Sequence, residues 1–100
     1  MIKHIVMWKL KEFGEGKSKA ENANIIKIGL ESLKNEIAQI KAIEVGININ
    51  KSAQAGDVVL NSEFETEEAL NTYQNHPAHL KVSGYVSKVV DERRVIDYES

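Results

Sequence analysis

The first apolar segment of the chain, residues 2–10, carries apolar side chains at both of its alternating parities. Successive side chains of a β-strand point to opposite faces, so this pattern predicts a strand that is covered on both sides. The two sets are His4, Val6, Trp8 and Leu10 on one face, and Ile5 and Met7 on the other.

An amphipathic helix is predicted after the glycine-rich break at residues 14–16. Ser18 and Glu21 are spaced as in a capping box, so the helix should begin there. Apolar residues then repeat at intervals of three and four for roughly five turns, which is the spacing of one helix face. These residues are Ile26, Leu30, Leu33, Ile37 and Ile40.

The second half of the chain predicts two strands, an interrupted helix and a final strand. Residues 43–49 and 57–65 alternate apolar and polar positions on either side of a polar turn. Thr66 is suited to cap the following helix, and Pro77 interrupts that helix because proline lacks an amide hydrogen and fixes its own φ. A second helical piece follows, and residues 94–98 form the last strand.

The resulting order, βαββαβ, is that of a ferredoxin-like α+β fold with a four-stranded antiparallel sheet. Residues 1–100 would form a single domain with both helices on one face of the sheet. Because both parities of the first strand are apolar, an apolar face of the sheet stays uncovered. Face-to-face pairing of two such sheets in a homodimer would bury that face.

The composition is that of an ordinary globular protein, with 42% hydrophobic and 28% charged residues. The net charge is −2 and the 13 basic residues are scattered, so nucleic acid is not an expected partner. The chain has no cysteine and no apolar stretch long enough to span a bilayer. Its first residues lack the pattern of a signal peptide, so the expected location is cytoplasmic, away from membranes.

Candidate chemistry is concentrated between Tyr73 and His79, where two of the three histidines flank the only proline. Histidine titrates near neutral pH and tyrosine donates or accepts hydrogen bonds, so the segment is suited to proton transfer. His79 is either a general base or a buried histidine bonded to a backbone carbonyl. Tyr73 is either a donor to a ligand or a core aromatic residue whose hydroxyl is satisfied.

The other two histidines also have structural alternatives. His76 directly precedes the proline and is expected to cap the second helical piece. His4 either lines a cavity or packs at an interface. His76 and His79 are three residues apart, but no metal-binding motif supports a metal site at these residues. No metal and no other cofactor is therefore predicted.

Two segments and the element order together resemble the stress-responsive dimeric α/β-barrel domain family. The segments are Ile2-Lys3-His4-Ile5-Val6 at the start and Tyr73-x-x-His76-Pro77-x-His79 after the third strand. The resemblance spans essentially the whole chain. It implies a homodimer whose two sheets form a barrel, with a cavity inside the barrel or between each sheet and its helices.

The resemblance also implies candidate site residues, because one plant member of the family is a polyketide cyclase that works without a cofactor. By this analogy His79 would remove a proton between two carbonyl groups, and Tyr73 would donate to the developing oxyanion. The implied ligand-binding residues are His4, Val6, Trp8, Ile26 and Leu30. Trp8 is larger than the aliphatic residue of the cyclase, so the cyclase substrate is not carried over.

Three functions are therefore compatible with the sequence. The first is a protein that holds a small apolar carbonyl ligand in a cavity near Tyr73 and His79. The second is a cyclase-like enzyme that catalyses an intramolecular aldol condensation. The third is a non-catalytic stress protein in which the histidines are structural.

Overall fold

Strand β1 (Ile2–Leu10) lies inside the sheet and is paired on both of its edges. The computed structural model describes all residues 1–100. The sheet consists of β1, β4 (Ala42–Ile47), β5 (Val58–Phe64) and β6 (Val90–Glu99), in the order β4-β5-β1-β6. All three pairings are antiparallel. Two short strands between β1 and β4 form a separate hairpin. The predicted ferredoxin-like sheet of four antiparallel strands is confirmed.

Three α-helices cover one face of this sheet: α1 (Lys19–Ser32), α2 (Glu67–Asn75) and α3 (Pro77–Val89). The predicted capping box of α1 is present, because the Ser18 hydroxyl accepts from Glu21 N–H and the Glu21 carboxylate accepts from Ser18 N–H. No helix of the protein has the length and apolar character needed to cross a membrane.

Helix α1 is shorter than the apolar spacing predicts. It ends at Ser32 and continues only as a 3-10 turn over Leu33–Asn35. Ile37 and Ile40 are nevertheless buried, at 1% and 2% exposure. The loop places both side chains against the core without helical backbone, so their spacing reports burial and not helix length. The predicted helix was therefore too long at its C-terminal end, because Ile37 and Ile40 lie beyond the helical residues.

A small hairpin separates β1 from α1 and was not predicted. Strands β2 (Phe13–Gly14) and β3 (Lys17–Ser18) are joined through Glu15 and Gly16, which have φ angles of 51° and 75°. Positive φ at both central residues is typical of a type I′ turn, whose twist suits adjacent strands. The buried Asn22 amide fastens the hairpin, because Nδ2 donates to the carbonyl of Gly14 at 3.1 Å.

The even-numbered residues of β1 face the helices and form the centre of the core. Ile2, His4, Val6, Trp8 and Leu10 are all buried, with exposures of 1–7%. Those from Ile2 to Trp8 lie opposite inward-facing residues of β5, among them Leu60 and Phe64.

The other face of the sheet has no covering layer within the chain. Its apolar side chains include Ile96 and Val59, which are 62% and 39% exposed. Ile5 pairs with Ile96 and Met7 pairs with Val59, so these residues form adjacent rows on that face. Strand β1 is therefore apolar on both faces, as predicted. The helices cover one of these faces, and the other is open within the chain.

Strand β6 begins four residues earlier than predicted, at Val90 and not at Arg94. The predicted start was wrong because Asp91–Arg94 contains only charged residues and shows no apolar alternation. This strand forms an edge of the sheet, and all its residues after Val90 are exposed. The length of β6 is therefore determined by its backbone pairing with β1 and not by burial of its side chains.

Candidate functional site

The junction between α2 and α3 positions the candidate site. His76 has an extended backbone, with φ −66° and ψ 136°, and Pro77 occupies the first position of α3. The Nδ1 atom of His76 accepts a hydrogen bond from Ala78 N–H at 3.0 Å. The predicted helix interruption and the capping role of His76 are both confirmed.

This cap frees a backbone carbonyl that His79 then uses. In a continuous helix, the N–H of Ala78 would donate to the carbonyl of Gln74, four residues earlier. Because that N–H is bonded to His76, the Gln74 carbonyl instead accepts from Nδ1 of His79 at 3.0 Å. A carbonyl oxygen can only accept, so the hydrogen of the neutral His79 ring lies on Nδ1. Nε2 is then the unprotonated, basic nitrogen.

The environment of His79 favours its neutral form. Burial lowers the pKa of His79 below the ordinary value of 6.5. The hydrogen bond to Gln74 acts in the opposite direction, whereas the charges of His4, Arg93 and His76 lower the pKa further. At neutral pH the ring is therefore uncharged and has a free lone pair. The carbonyl bond proposed as the structural alternative is present, and it orients the ring as a base requires.

Tyr73 lies directly behind His79 and is completely buried, with 0% exposure. The two ring centroids are 4.5 Å apart, and the ring of Tyr73 also contacts Phe64 at 4.9 Å. The Tyr73 hydroxyl is buried without any hydrogen-bond partner. The alternative of a core tyrosine with a satisfied hydroxyl was wrong. Burial raises the pKa of Tyr73 to about 12, so this hydroxyl stays protonated and acts only as a neutral group.

His4 packs against the rings of Tyr73 and Phe64 from the side of the sheet. It is 2% exposed and its ring centroid lies 6.3 Å from that of Tyr73. Its Nδ1–H donates to a carboxylate oxygen of Asp97 at 2.5 Å. The pairing of β1 with β6 places these two residues directly opposite each other. His4 faces the helices, and therefore does not lie on the open face of the sheet.

Asp97 was not identified from the sequence. Its role depends on the register between the first and last strands, which bring together residues 93 positions apart. Strand patterns alone do not specify that register when the edge strand is exposed. Side chains alternate between the two faces of β6, and its odd-numbered residues share the face of His4. This assignment requires the pairing of β1 with β6 to be known.

A cavity of about 110 Å³ lies between the sheet and α3, next to the two histidines. Four of the five residues that the family resemblance implied for ligand binding line it: His4, Val6, Trp8 and Leu30. The fifth, Ile26, is buried in the core outside this lining. His79 lines the cavity, whereas Tyr73 is one ring behind it.

The remaining lining residues were missed in the sequence, although part of the set has a readable signal. Ser83, Val86 and Ser87 follow one helical face at intervals of three and four, in line with His79, and Val90 comes directly after that helix. Extending that face from His79 would have found them. The full set of missed lining residues is Leu60, Ser83, Val86, Ser87, Val90 and Arg93.

A larger open groove of about 630 Å³ lies between the start of α2 and the end of β6. It shares Asp97 with the histidine site, and its lining is mostly polar. Glu67, Glu68 and Glu99 give it a negative character. No group of three histidine or acidic side chains in the protein is arranged to hold a metal ion. None of the three histidines lines this groove.

Known proteins resemble this chain over nearly its whole length. The family described as Stress Responsive A/B Barrel Domain matches residues 2–100. The stress-response A/B barrel domain-containing protein HS1 of Arabidopsis thaliana is 32% identical over 100 residues, covering 98% of this chain and 88% of that protein.

Solved structures show the same fold. A dimeric protein of unknown function and ferredoxin-like fold from Bacteroides fragilis is 30% identical, with a TM-score of 0.85 over 99% of this chain and 95% of that one. A hydroxynitrile lyase from Passiflora edulis has a TM-score of 0.79 over 97% of this chain and 90% of that one. At 18% identity the lyase is evidence for the fold alone.

We expect His79 and His76 to adopt opposite neutral tautomers. His79 donates through Nδ1, whereas His76 accepts at Nδ1 and must carry its hydrogen on Nε2. Ring nitrogen chemical shifts measured by NMR at pH 8 would distinguish the two forms. His76 serves as the internal control. Equal populations of both tautomers for His79 would contradict the bond to Gln74.

The same lowered pKa of His79 predicts how stability changes with pH. The unfolded chain binds this proton with a pKa near 6.5, but the folded chain binds it only at lower pH. The free energy of unfolding should therefore decrease as pH falls below 6.5 and through the folded pKa. Replacement by glutamine (His79→Gln) should make this decrease shallower in urea unfolding. An unchanged pH profile would contradict the shift.

We expect the Tyr73→Phe variant to be at least as stable as the original protein. The hydroxyl it removes has no partner, and such a buried group costs about 1–3 kcal/mol, so its loss should raise the free energy of unfolding by up to that amount. Tyr85→Phe is the matched control, because the Tyr85 hydroxyl donates to Asn22 Oδ1 at 2.6 Å. That variant should lose about 1 kcal/mol in urea unfolding. If Tyr73→Phe lowered the free energy of unfolding as much as Tyr85→Phe does, the Tyr73 hydroxyl would have a hydrogen-bond partner.

Proposed function

The chain belongs to the stress-responsive A/B barrel domain family, and we propose that it is a homodimer whose cavity binds a small, largely apolar carbonyl compound beside His79. The observation that carries this proposal is the state of His79. Its ring lines a cavity, is held by a backbone carbonyl through Nδ1, and is neutral at neutral pH. A purely structural histidine would not need the cavity next to it.

The size and lining of the cavity support a small ligand. A dry cavity of roughly 150 Å³ holds benzene, so the 110 Å³ beside His79, whose lining includes exposed residues at its opening, suits a compound of about six or seven non-hydrogen atoms. Val6, Leu30 and Leu60 give it apolar walls. Typical pockets for drug-sized ligands are about 300–1,000 Å³, so a long polyketide does not fit inside while Trp8 keeps its position.

A catalytic version of this function is favoured by the unpartnered hydroxyl of Tyr73. A buried hydroxyl without a partner costs about 1–3 kcal/mol. Tyr73 does not line the cavity, so a ligand carbonyl oxygen would remove that cost by reaching past the His79 ring. In this version, Nε2 of His79 takes a proton from the carbon next to the carbonyl. The electron pair of that C–H bond moves to the oxygen, and Tyr73 donates a hydrogen bond to the resulting enolate. An aldol ring closure would begin with this step.

The non-catalytic alternative accounts for only some of the histidines. His76 caps a helix and His4 bonds Asp97, so both have structural roles. The alternative gives no reason for the free Nε2 of His79 or for the unpartnered Tyr73 hydroxyl. These two groups are the ones that a carbonyl ligand would use.

Acetylacetone is a suitable neutral probe, because it is small and readily loses a proton between its two carbonyl groups. We expect saturable shifts of the Val6 and Leu30 methyl resonances on titration. We also expect deuterium uptake at the central carbon above the buffer rate. His79→Gln should reduce the protein-dependent rate by about 100-fold, because a general base contributes at least that factor.

Lys81→Gln is the matched control, since Lys81 lies on the same helix as His79 but is exposed and outside the cavity. It should leave both the binding and the rate unchanged. Binding without accelerated deuterium uptake would refute the catalytic version and leave the ligand-binding function. No saturable binding at millimolar probe concentrations would refute both.

The homodimer is supported by the open face of the sheet. Ile5, Met7, Val59, Ile96 and Tyr98 lie on this face, and the last three are 39–62% exposed. Exposed apolar surface of this kind commonly marks a protein interface. The relative from Bacteroides fragilis is described as dimeric. Since the cavity lies on the opposite face, pairing through the open face leaves the cavity accessible.

Introducing a charge on the open face should weaken the dimer. Ile96→Asp would place an unpaired carboxylate in the proposed interface, and we expect at least about tenfold weaker association in sedimentation equilibrium. Ile28→Asp is the matched control, because Ile28 is 70% exposed but lies on α1. A dimer unaffected by Ile96→Asp, or an original protein that is monomeric at micromolar concentration, would rule out this interface.

A further inference from the structure

Arg93 is a cation at the cavity that no acidic group of the chain neutralises. It lies opposite Trp8 in the pairing of β1 with β6, so it projects to the face that carries the cavity, and it lines that cavity. None of the seven ion pairs of the protein includes it. A guanidinium group has five N–H donors, and the Arg93 side chain makes no hydrogen bond within the chain.

The cavity has an apolar inner end and a polar mouth. Val6, Leu30 and Leu60 are 1–2% exposed and form the inner end. Arg93 is exposed, as are Ser83 and Ser87, which lie one helical turn apart on α3. The Ser83 hydroxyl has no partner in the chain, whereas the Ser87 hydroxyl donates to the carbonyl of Gly84. The mouth therefore has two kinds of free donor.

No carboxylate competes for these donors at the cavity. Its lining contains no aspartate or glutamate. The nearby Asp97 carboxylate accepts from His4. Glu92 pairs with Lys9 and shares the parity of Arg94, so it belongs to the opposite face of the sheet. The only formal charge at the mouth is positive, although the protein as a whole has a net charge of −2.

We propose that the ligand is a small keto acid, whose carboxylate is held by Arg93 and Ser83 while its carbonyl lies beside His79. This inference rests on the proposed binding cavity and specifies its ligand class. Arginine binds carboxylates in a two-pronged geometry, which fixes orientation as well as affinity. The alkyl end of such a compound would occupy the apolar inner end. A β-keto acid has the carboxylate and the carbonyl at the short separation that a 110 Å³ cavity allows.

Acetoacetate and acetylacetone form a matched probe pair, because they have the same number of non-hydrogen atoms and differ by a carboxylate in place of an acetyl group. The intact protein should bind acetoacetate about tenfold more tightly than acetylacetone in NMR titrations at low salt. Arg93→Met should remove this preference and leave acetylacetone binding unchanged. Arg93→Lys keeps the positive charge but loses the paired N–H donors of the guanidinium group, so it should retain part of the preference for acetoacetate.

Arg94→Met is the control, since Arg94 is the next residue of the same strand but pairs with Met7 on the opposite face. It should bind both probes as the original protein does. If acetylacetone binds and acetoacetate binds no more tightly, the keto-acid proposal is wrong while the cavity function stands. If Arg93→Met weakens both probes equally, the role of Arg93 in carboxylate recognition is refuted. If neither probe binds the original protein, the cavity function and this proposal both fail.

Discussion

Pro77 has no amide hydrogen to donate to the carbonyl of Tyr73 four residues earlier, so α2 cannot continue through it. The Tyr73 carbonyl accepts from His76 N–H instead, at 3.2 Å. In an unbroken helix, Tyr73 and His79 would be separated by about 120° around the axis and about 9 Å along it. The break brings their rings to 4.5 Å. The chemistry of the site therefore depends on a backbone constraint in the middle of its own sequence motif.

The break also sets the protonation states. His76 takes the N–H of Ala78, which leaves the Gln74 carbonyl for His79 and so determines the tautomer of the ring. Burial then acts on both side chains in the direction of neutrality, because it lowers the pKa of His79 and raises that of Tyr73. The result is a neutral base beside a neutral donor. This pair suits the transfer of a proton from carbon, in which negative charge develops on a neighbouring oxygen.

The sequence predicted those features that depend on local pattern. The parity of β1, the capping box at Ser18 and the cap at His76 all follow from neighbouring residues, and the structure has each of them. Features that depend on distant pairing were missed. The approach of Asp97 to His4 and of Arg93 to the cavity is set by the register of an exposed edge strand, whose side chains carry no burial pattern. The end of α1 was missed for the converse reason, since Ile37 is buried without being helical.

The proposed ligand cavity and the proposed dimer interface lie on opposite faces of β1. Its even-numbered residues pack under the helices around the cavity, and its odd-numbered residues lie on the open face. A substitution on one parity therefore need not disturb the other. Against this ordered background the Tyr73 hydroxyl is the exception, since it is a fully buried donor without a partner. Phenylalanine would fill the same space without that cost, as Phe64 does beside it. This donor, next to a base with a free lone pair, is the group to which the proposed carbonyl ligand would supply an acceptor.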